Sequence, residues 1–203
     1  MKKIISVIGA GGKTTLIHRL AEEYRRKGAS VLVSTTTHML VEPDTDLSCD
    51  SFAVMEKIKK TGYCMAGAVC PENSAKMQSL PEQMLHDLMK QVDYALIEAD
   101  GAKHYALKYP SEQEPVIPEG TTDVILVLGS WDLGKPFKDV VFRFEHMTSA
   151  LGISGDMKAD KQMLQWIWQA YEEKLKNMDY QGHFHVLLSE KTDQGLMFHT
   201  LEE

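Results

Sequence analysis

The chain has 203 residues, 43% of them apolar and 25% charged, which suits one well-cored domain over residues 1–203 and excludes two large ones. A net charge of −7 argues against a nucleic-acid partner, which requires a basic face, but leaves room for a nucleotide in a locally positive pocket. No apolar run approaches the ~20 residues of a membrane helix. No signal peptide precedes Lys2-Lys3, so a cytoplasmic protein is expected. Cys49, Cys64 and Cys70 are odd in number and lack C-x-x-C spacing, which fits a reducing compartment, with Cys64 and Cys70 as small core hydrophobes.

Strand-like and helix-like patterns alternate along the chain, which predicts an α/β fold with a mostly parallel sheet between helices, three layers in all. The first strand is expected over Lys3 to Gly9, then a helix from Lys13 to Lys27, with Leu16, Leu20, Ala21 and Tyr24 on one face and Gly28 as its stop. Val31 to Thr35 is a second buried strand. An acidic irregular stretch from Leu40 to Asp50 leads to a helix over Phe52 to Lys60 and an apolar segment from Tyr63 to Cys70. Pro81 opens a helix to Gln91, with Met84, Leu85, Leu88 and Met89 inward. Asp93 to Ala99 is the next strand. Residues 101–120, with Pro110, Pro115 and Pro118, are expected to be an ordered loop without elements. Val124 to Leu128 is a strand, Lys161 to Lys176 a helix with Trp166 and Trp168 in its packing, and His185 to Leu188 the strand that closes the sheet.

The first strand runs into Gly9-Ala10-Gly11-Gly12-Lys13-Thr14-Thr15, and a helix follows at once. Strand, glycine loop and helix in that order make a phosphate cradle: glycines let backbone N–H groups turn toward one anion, and the helix adds the positive end of its dipole. Lys13 is expected on the β- and γ-phosphates, with the Thr14 hydroxyl on Mg²⁺. The spacing is not the usual G-x-x-x-x-G-K-[ST], because the position six before Lys13 is Val7. The deviant loop of MinD-like ATPases has a second lysine where this chain has Ile8. The shortened G-x-x-G-K-T-T is similar to that of Mur-type ligases, which need two further large domains.

Ile97-Glu98-Ala99-Asp100-Gly101 ends an apolar strand in two carboxylates, two apart and so expected on one face. Phosphate-loop enzymes place an acidic residue there to hold Mg²⁺ and orient a nucleophile, so Glu98 and Asp100 join Lys13 as catalytic candidates and Thr14 as metal candidates. Thr36 and His38 follow the second strand at the edge where doubly wound sheets bind ligands, and are candidate switch or substrate contacts. Lys103, Lys108 and Glu114 lie on the proline-stiffened loop and are candidate substrate or switch contacts, the lysines balancing phosphate charge or else being ordinary surface cations of a loop. Lys191-Thr192-Asp193 keeps the K-x-D of guanine-specific proteins, with Glu190 in place of the amide residue, so Asp193 is a candidate base contact and ATP and GTP both stay open.

Taken in order, the G-A-G-G-K-T-T loop, Ser34 to Met39, I-E-A-D-G-A-K, Leu107-Lys108, Glu114 to Pro118 and the Gly129 to Pro136 turn resemble the YqeC-like family of selenium-dependent hydroxylase accessory proteins. The resemblance is specific to about residue 145 and looser beyond. It implies a P-loop NTPase-like fold and a link to the maturation of selenium-containing molybdenum hydroxylases, which would be the partners. The family's L-N-K-x-D ending is here Leu188-Ser189-Glu190-Lys191-Thr192-Asp193, and the short stretch after Asp193 implies a reduced final helix. The resulting expectation is a Mg²⁺-dependent ATP or GTP hydrolase acting as a maturation factor. The alternatives are a small-molecule kinase, or a nucleotide-clamped binding module with little turnover.

Overall fold

The computed structural model describes residues 2–201. Its first strand, β1 (Lys3–Gly9), forms where Ile4, Ile5, Val7 and Ile8 make the chain apolar on either side of a buried Ser6. Helix α1 (Lys13–Arg26) ends on Arg25 and Arg26, whose charges suit the negative end of the helix dipole. All five residues of β2 (Val31–Thr35) are buried, as in a strand covered on both faces. There follow β3 (His38–Leu40), α2 (Ser51–Thr61), β4 (Tyr63–Met65), β5 (Ala68–Val69), β6 (Lys76–Gln78), α3 (Glu82–Met89) and β7 (Tyr94–Glu98). Helix α2 has explicit boundaries: the Asp50 carboxylate accepts from the N–H groups of Phe52 and Ala53, and Gly62 closes the helix at φ 75°. The remaining elements are β8 (Leu107–Lys108), β9 (Asp123–Gly129), α4 (Phe137–Val140), β10 (Val141–Phe142), α5 (Phe144–Leu151), α6 (Lys161–Asn177), β11 (His183–Thr192) and β12 (Gly195–Thr200). The architecture is α/β, with a mostly parallel central sheet flanked by helices.

By internal contacts the chain divides into two compact units. The first comprises Met1–Val7, Thr14–Gly101 and Val116–Asp123. Its strands run parallel in the order β1-β7-β2-β4. On one face Leu32, Cys64, Ala95 and Ile97 pack against Val54 and Ile58 of α2 and Leu85, Leu88 and Met89 of α3. On the other, Tyr94 stacks on Tyr24 of α1 with ring centroids 3.7 Å apart and planes within 10°. Side chains alternate along a strand, so Glu98, level in parity with Tyr94 and Leu96, belongs to the α1 face. The pieces β3, β6 and β5 form a separate antiparallel sheet.

The second unit comprises Ile8–Lys13, Ala102–Pro115 and Val124–Glu203. Its main strands have the order β9-β11-β12. Helix α6 starts at Asp160, whose carboxylate accepts from the Met163 N–H at 3.1 Å, and buries Met163, Leu164, Ile167, Tyr171 and Leu175. Trp166 and Trp168 flank that stripe and are only half-buried. Two expectations are corrected here. The sheet does not close at residues 185–188, and among the described residues no helix follows Asp193. Instead β11 extends to Thr192, the chain turns through Asp193 and Gln194, and β12 returns antiparallel from Leu187↔Thr200 to Thr192↔Gly195. Alternating Leu196 and Phe198 supply the apolar side that makes this segment a strand. The loop of residues 101–120 also contains a short strand, β8, which pairs in parallel with β10. Among the described residues no helix is long and apolar enough to cross a membrane.

Candidate functional site

The glycines of the loop are there for space as well as for angle. Gly9, Gly11 and Gly12 have φ of 85°, 82° and 117°, in the region that favours glycine. A Cβ on Gly11 would stand 2.5 Å from the Ala106 carbonyl oxygen and 2.6 Å from the Gly129 Cα. Both are backbone atoms and cannot yield. A Cβ on Gly12 would meet Leu196 of β12 at 2.8 Å. The loop is anchored to its own unit: the Ala10 N–H donates to the Val127 oxygen at 2.9 Å, and Ser189 donates to the carbonyls of Gly11 and Leu128. The Ala10 amide is therefore engaged with β9, and the anion-facing amides are to be sought from Gly11 onward. The Lys13 ammonium, nearly buried, donates to the Gly9 carbonyl at 2.9 Å.

One residue further, Thr14 lies in the first turn of α1. Its hydroxyl donates to Glu98 Oε2 at 2.9 Å, and Glu98, the last residue of β7, is 7% exposed. The hydroxyl proton is directed at the carboxylate, which leaves lone pairs on the threonine oxygen for a cation. Asp100 is fully buried, two residues past the end of β7 at Glu98. The threonines at the end of β2 hold the end of β7. Thr35 donates to the Glu98 carbonyl at 2.8 Å and the Thr36 N–H to the same oxygen at 3.2 Å, while the Thr36 hydroxyl donates to the Val116 carbonyl at 2.7 Å. His38 is exposed on β3, and Thr15 is half-buried beside Thr14. Among the described residues no three His, Cys, Asp or Glu side chains gather to hold a metal ion. The hard oxygens of Thr14 and Glu98 nevertheless suit Mg²⁺, which takes few protein ligands and completes its shell with phosphate oxygens and water.

The second unit carries a cationic network. Lys108 is wholly buried, which corrects its reading as a surface cation. Its ammonium donates to Glu114 Oε2 at 2.6 Å, and Arg143 Nη1 approaches the same oxygen at 2.7 Å. That guanidinium nitrogen is close enough for an ion pair yet out of line for a hydrogen bond. Lys103, exposed, Lys108 and Arg143 surround the Phe142 ring at 5.2, 5.7 and 5.1 Å from its centroid. Burial pulls the Lys108 pKa down to about 8; Glu114 opposes that shift, and the charges of Arg143 and Lys13 add to it. The Tyr171 phenol, fully buried on α6, lies well above its ordinary value, first through burial and then through Glu114. Asp193 is exposed in the β11–β12 turn. Cys64 and Cys70 are buried free thiols, Cys64 pushed up to about 11 by burial, so both belong to packing. Arg143 and Ser189 escaped the sequence reading. Ser189 carried a faint signal, as the small residue within an otherwise bulky strand.

The family model described as YqeC protein matches residues 5–145. The chain is similar to the uncharacterized protein YqeC of Escherichia coli (strain K12), with 34% identity over 161 residues, 75% of this chain and 62% of that relative. It thus spans less than two thirds of the relative's length. Among solved structures it is similar to FtsY from Mycoplasma mycoides, at 19% identity over 64% of this chain and 43% of that one, with a TM-score of 0.34.

Proposed function

The chain belongs to the YqeC family, and from that footing we propose that it binds ATP or GTP with Mg²⁺ on the Gly9 to Thr15 loop and hydrolyses it. The observation that carries this proposal is the Thr14 hydroxyl held 2.9 Å from Glu98 Oε2 directly after a glycine loop with three positive φ angles. N–H groups from Gly11 into the first turn of α1 would take the phosphate oxygens, since the first turn of any helix has donors without intrahelical acceptors. Lys13 would exchange the neutral Gly9 carbonyl for a phosphate oxygen, a stronger charge-assisted partner. Thr14 and Glu98 would hold the metal, which supplies neutralisation of charge on the β- and γ-phosphates. Glu98 and Asp100 are the candidates to orient the attacking water. The resemblance stated above adds the biological setting, maturation of a selenium-dependent molybdenum hydroxylase, with that enzyme as partner.

Lys13→Ala tests the proposal directly. Calorimetric titration with MgATP and MgGTP should show binding to the wild type and none to the variant, with unchanged circular dichroism. Equal affinity in the two proteins would sink it. One observation favours a second reading, phosphoryl transfer to a small anion: Lys108, Arg143 and Lys103 surround one ring, and Lys108 feels the charge of Lys13. Turnover that begins only when an anionic acceptor is added would select it.

A further inference from the structure

Beyond the phosphate loop, one row of side chains in the second unit leads outward from it. Ser189 of β11 bonds to the Gly11 carbonyl and so marks the strand face that meets the loop. Strand residues two apart share a face, so Lys191 belongs to the same row. Its ammonium lies 4.5 Å from the centroid of the Trp131 ring. Trp131 directly follows Ser130, which is tied to that same strand. The N–H and hydroxyl of Ser130 both donate to the Ser189 carbonyl, at 2.9 and 3.1 Å. Gly129, which a Cβ on Gly11 would touch at 2.6 Å, has the Trp131 ring 2.9 Å from its own Cβ position. A half-buried indole is thus placed beside the phosphate loop by hydrogen bonds of its neighbour Ser130 to Ser189, with an exposed cation as its cover.

We propose that Trp131 and Lys191 form the base subsite of the nucleotide. The base stacks on the indole, and Lys191 gives up the ring and lies over the base. A large aromatic beside a phosphate cradle has the chemistry for this: every nucleobase presents a π-face, and an aromatic platform with a nearby cation attracts it. The ligand class is therefore a base-bearing nucleotide and not an inorganic polyphosphate. This rests on the nucleotide proposal, and the test separates the two.

The full chain is titrated calorimetrically with MgATP, MgGTP and magnesium tripolyphosphate. Wild type should bind one of the nucleotides at least about tenfold more tightly than tripolyphosphate, the preference that base stacking confers. Trp131→Ala should lose that preference and keep its tripolyphosphate affinity, which also reports an intact loop. Trp131→Tyr, which keeps a ring, should restore most of it. Equal wild-type affinity for nucleotide and tripolyphosphate overturns the base subsite and leaves the phosphate loop standing. So does a Trp131→Ala variant that retains the preference, or one that loses nucleotide and tripolyphosphate together, as a merely structural role predicts. A wild type that binds none of the three probes overturns the nucleotide proposal and the base subsite with it.

Discussion

The oxygen-rich stretch around Glu98 and the cationic stretch around Glu114 differ in the chemistry they present. In the first unit the polar groups that cluster are oxygens: the hydroxyls of Thr14 and Thr35 on the carboxylate and carbonyl of Glu98. In the second unit they are nitrogens: Lys108 and Arg143 on one oxygen of Glu114, with Lys13 on a loop carbonyl. Hard oxygens serve a cation, and ammonium and guanidinium groups serve an anion. The two stretches also differ in what they bury. The first buries a carboxylate, Glu98 at 7% exposure, beside a half-buried hydroxyl, whereas the second seals an ammonium, Lys108, against a Glu114 side chain that keeps 15% exposure. A buried ammonium ties the second stretch to the stability of the fold, and the oxygens of the first suit a cation.

The largest expected effect breaks the cationic stretch. Glu114→Ala leaves the buried Lys108 without its carboxylate, and removal of one partner from a buried pair costs about 3–5 kcal/mol. Urea denaturation should show that loss as a lower midpoint at unchanged slope. A cost within ~0.5 kcal/mol, the usual range for surface positions, would mean that the network does not support the fold. Removing the charge from the other carboxylate should act elsewhere. Glu98→Gln retains an oxygen that can accept from Thr14, so the denaturation midpoint should barely move. Mg²⁺-dependent nucleotide affinity should fall about 10- to 100-fold, the range seen even for outer partners of a metal. A large stability loss with intact binding would reverse the assignment.

These two carboxylates were unequally legible. Glu98 stands at the end of an uninterrupted apolar strand, and the Gly9 to Thr15 motif precedes a helix, so periodicity and glycine spacing located both sides of the Thr14–Glu98 contact. β1, β2, β7 and α6 were visible for the same reason: each buries a face long enough to impose a period on the sequence. Lys108 gave no such signal. A lysine among prolines looks solvated, and only its meeting with Glu114 and with Arg143, from a segment 29 positions beyond Glu114, makes its burial tolerable. The strands β3, β5, β6, β8 and β10 have two or three residues, too few to show alternation. The β11–β12 hairpin was missed because the K-x-D match drew attention to a loop where the chain in fact continues as a strand.

The gentlest probe of the comparison is pH. Lys108 is ordinarily half-protonated near 10.5 and in the folded protein near 8. Below about pH 8 the ammonium is charged in both states, and the fold bears the cost of burying it. Between about 8 and 10.5 the unfolded chain still holds the proton that the folded chain has released, so stability from this group rises with pH across that window. Above it both states are neutral and the cost is gone. Lys108→Met removes the titration, so wild type should gain stability relative to the variant between pH 7.5 and 10, measured by urea denaturation at each pH. Tyr63, which burial pushes up to about 12, and the raised Tyr24 and Tyr109 act in the opposite direction above pH 10, but they are common to both proteins and drop out of the difference. Parallel pH profiles would show that Lys108 is solvated after all, and the place of the cationic stretch in the folded core would go with it.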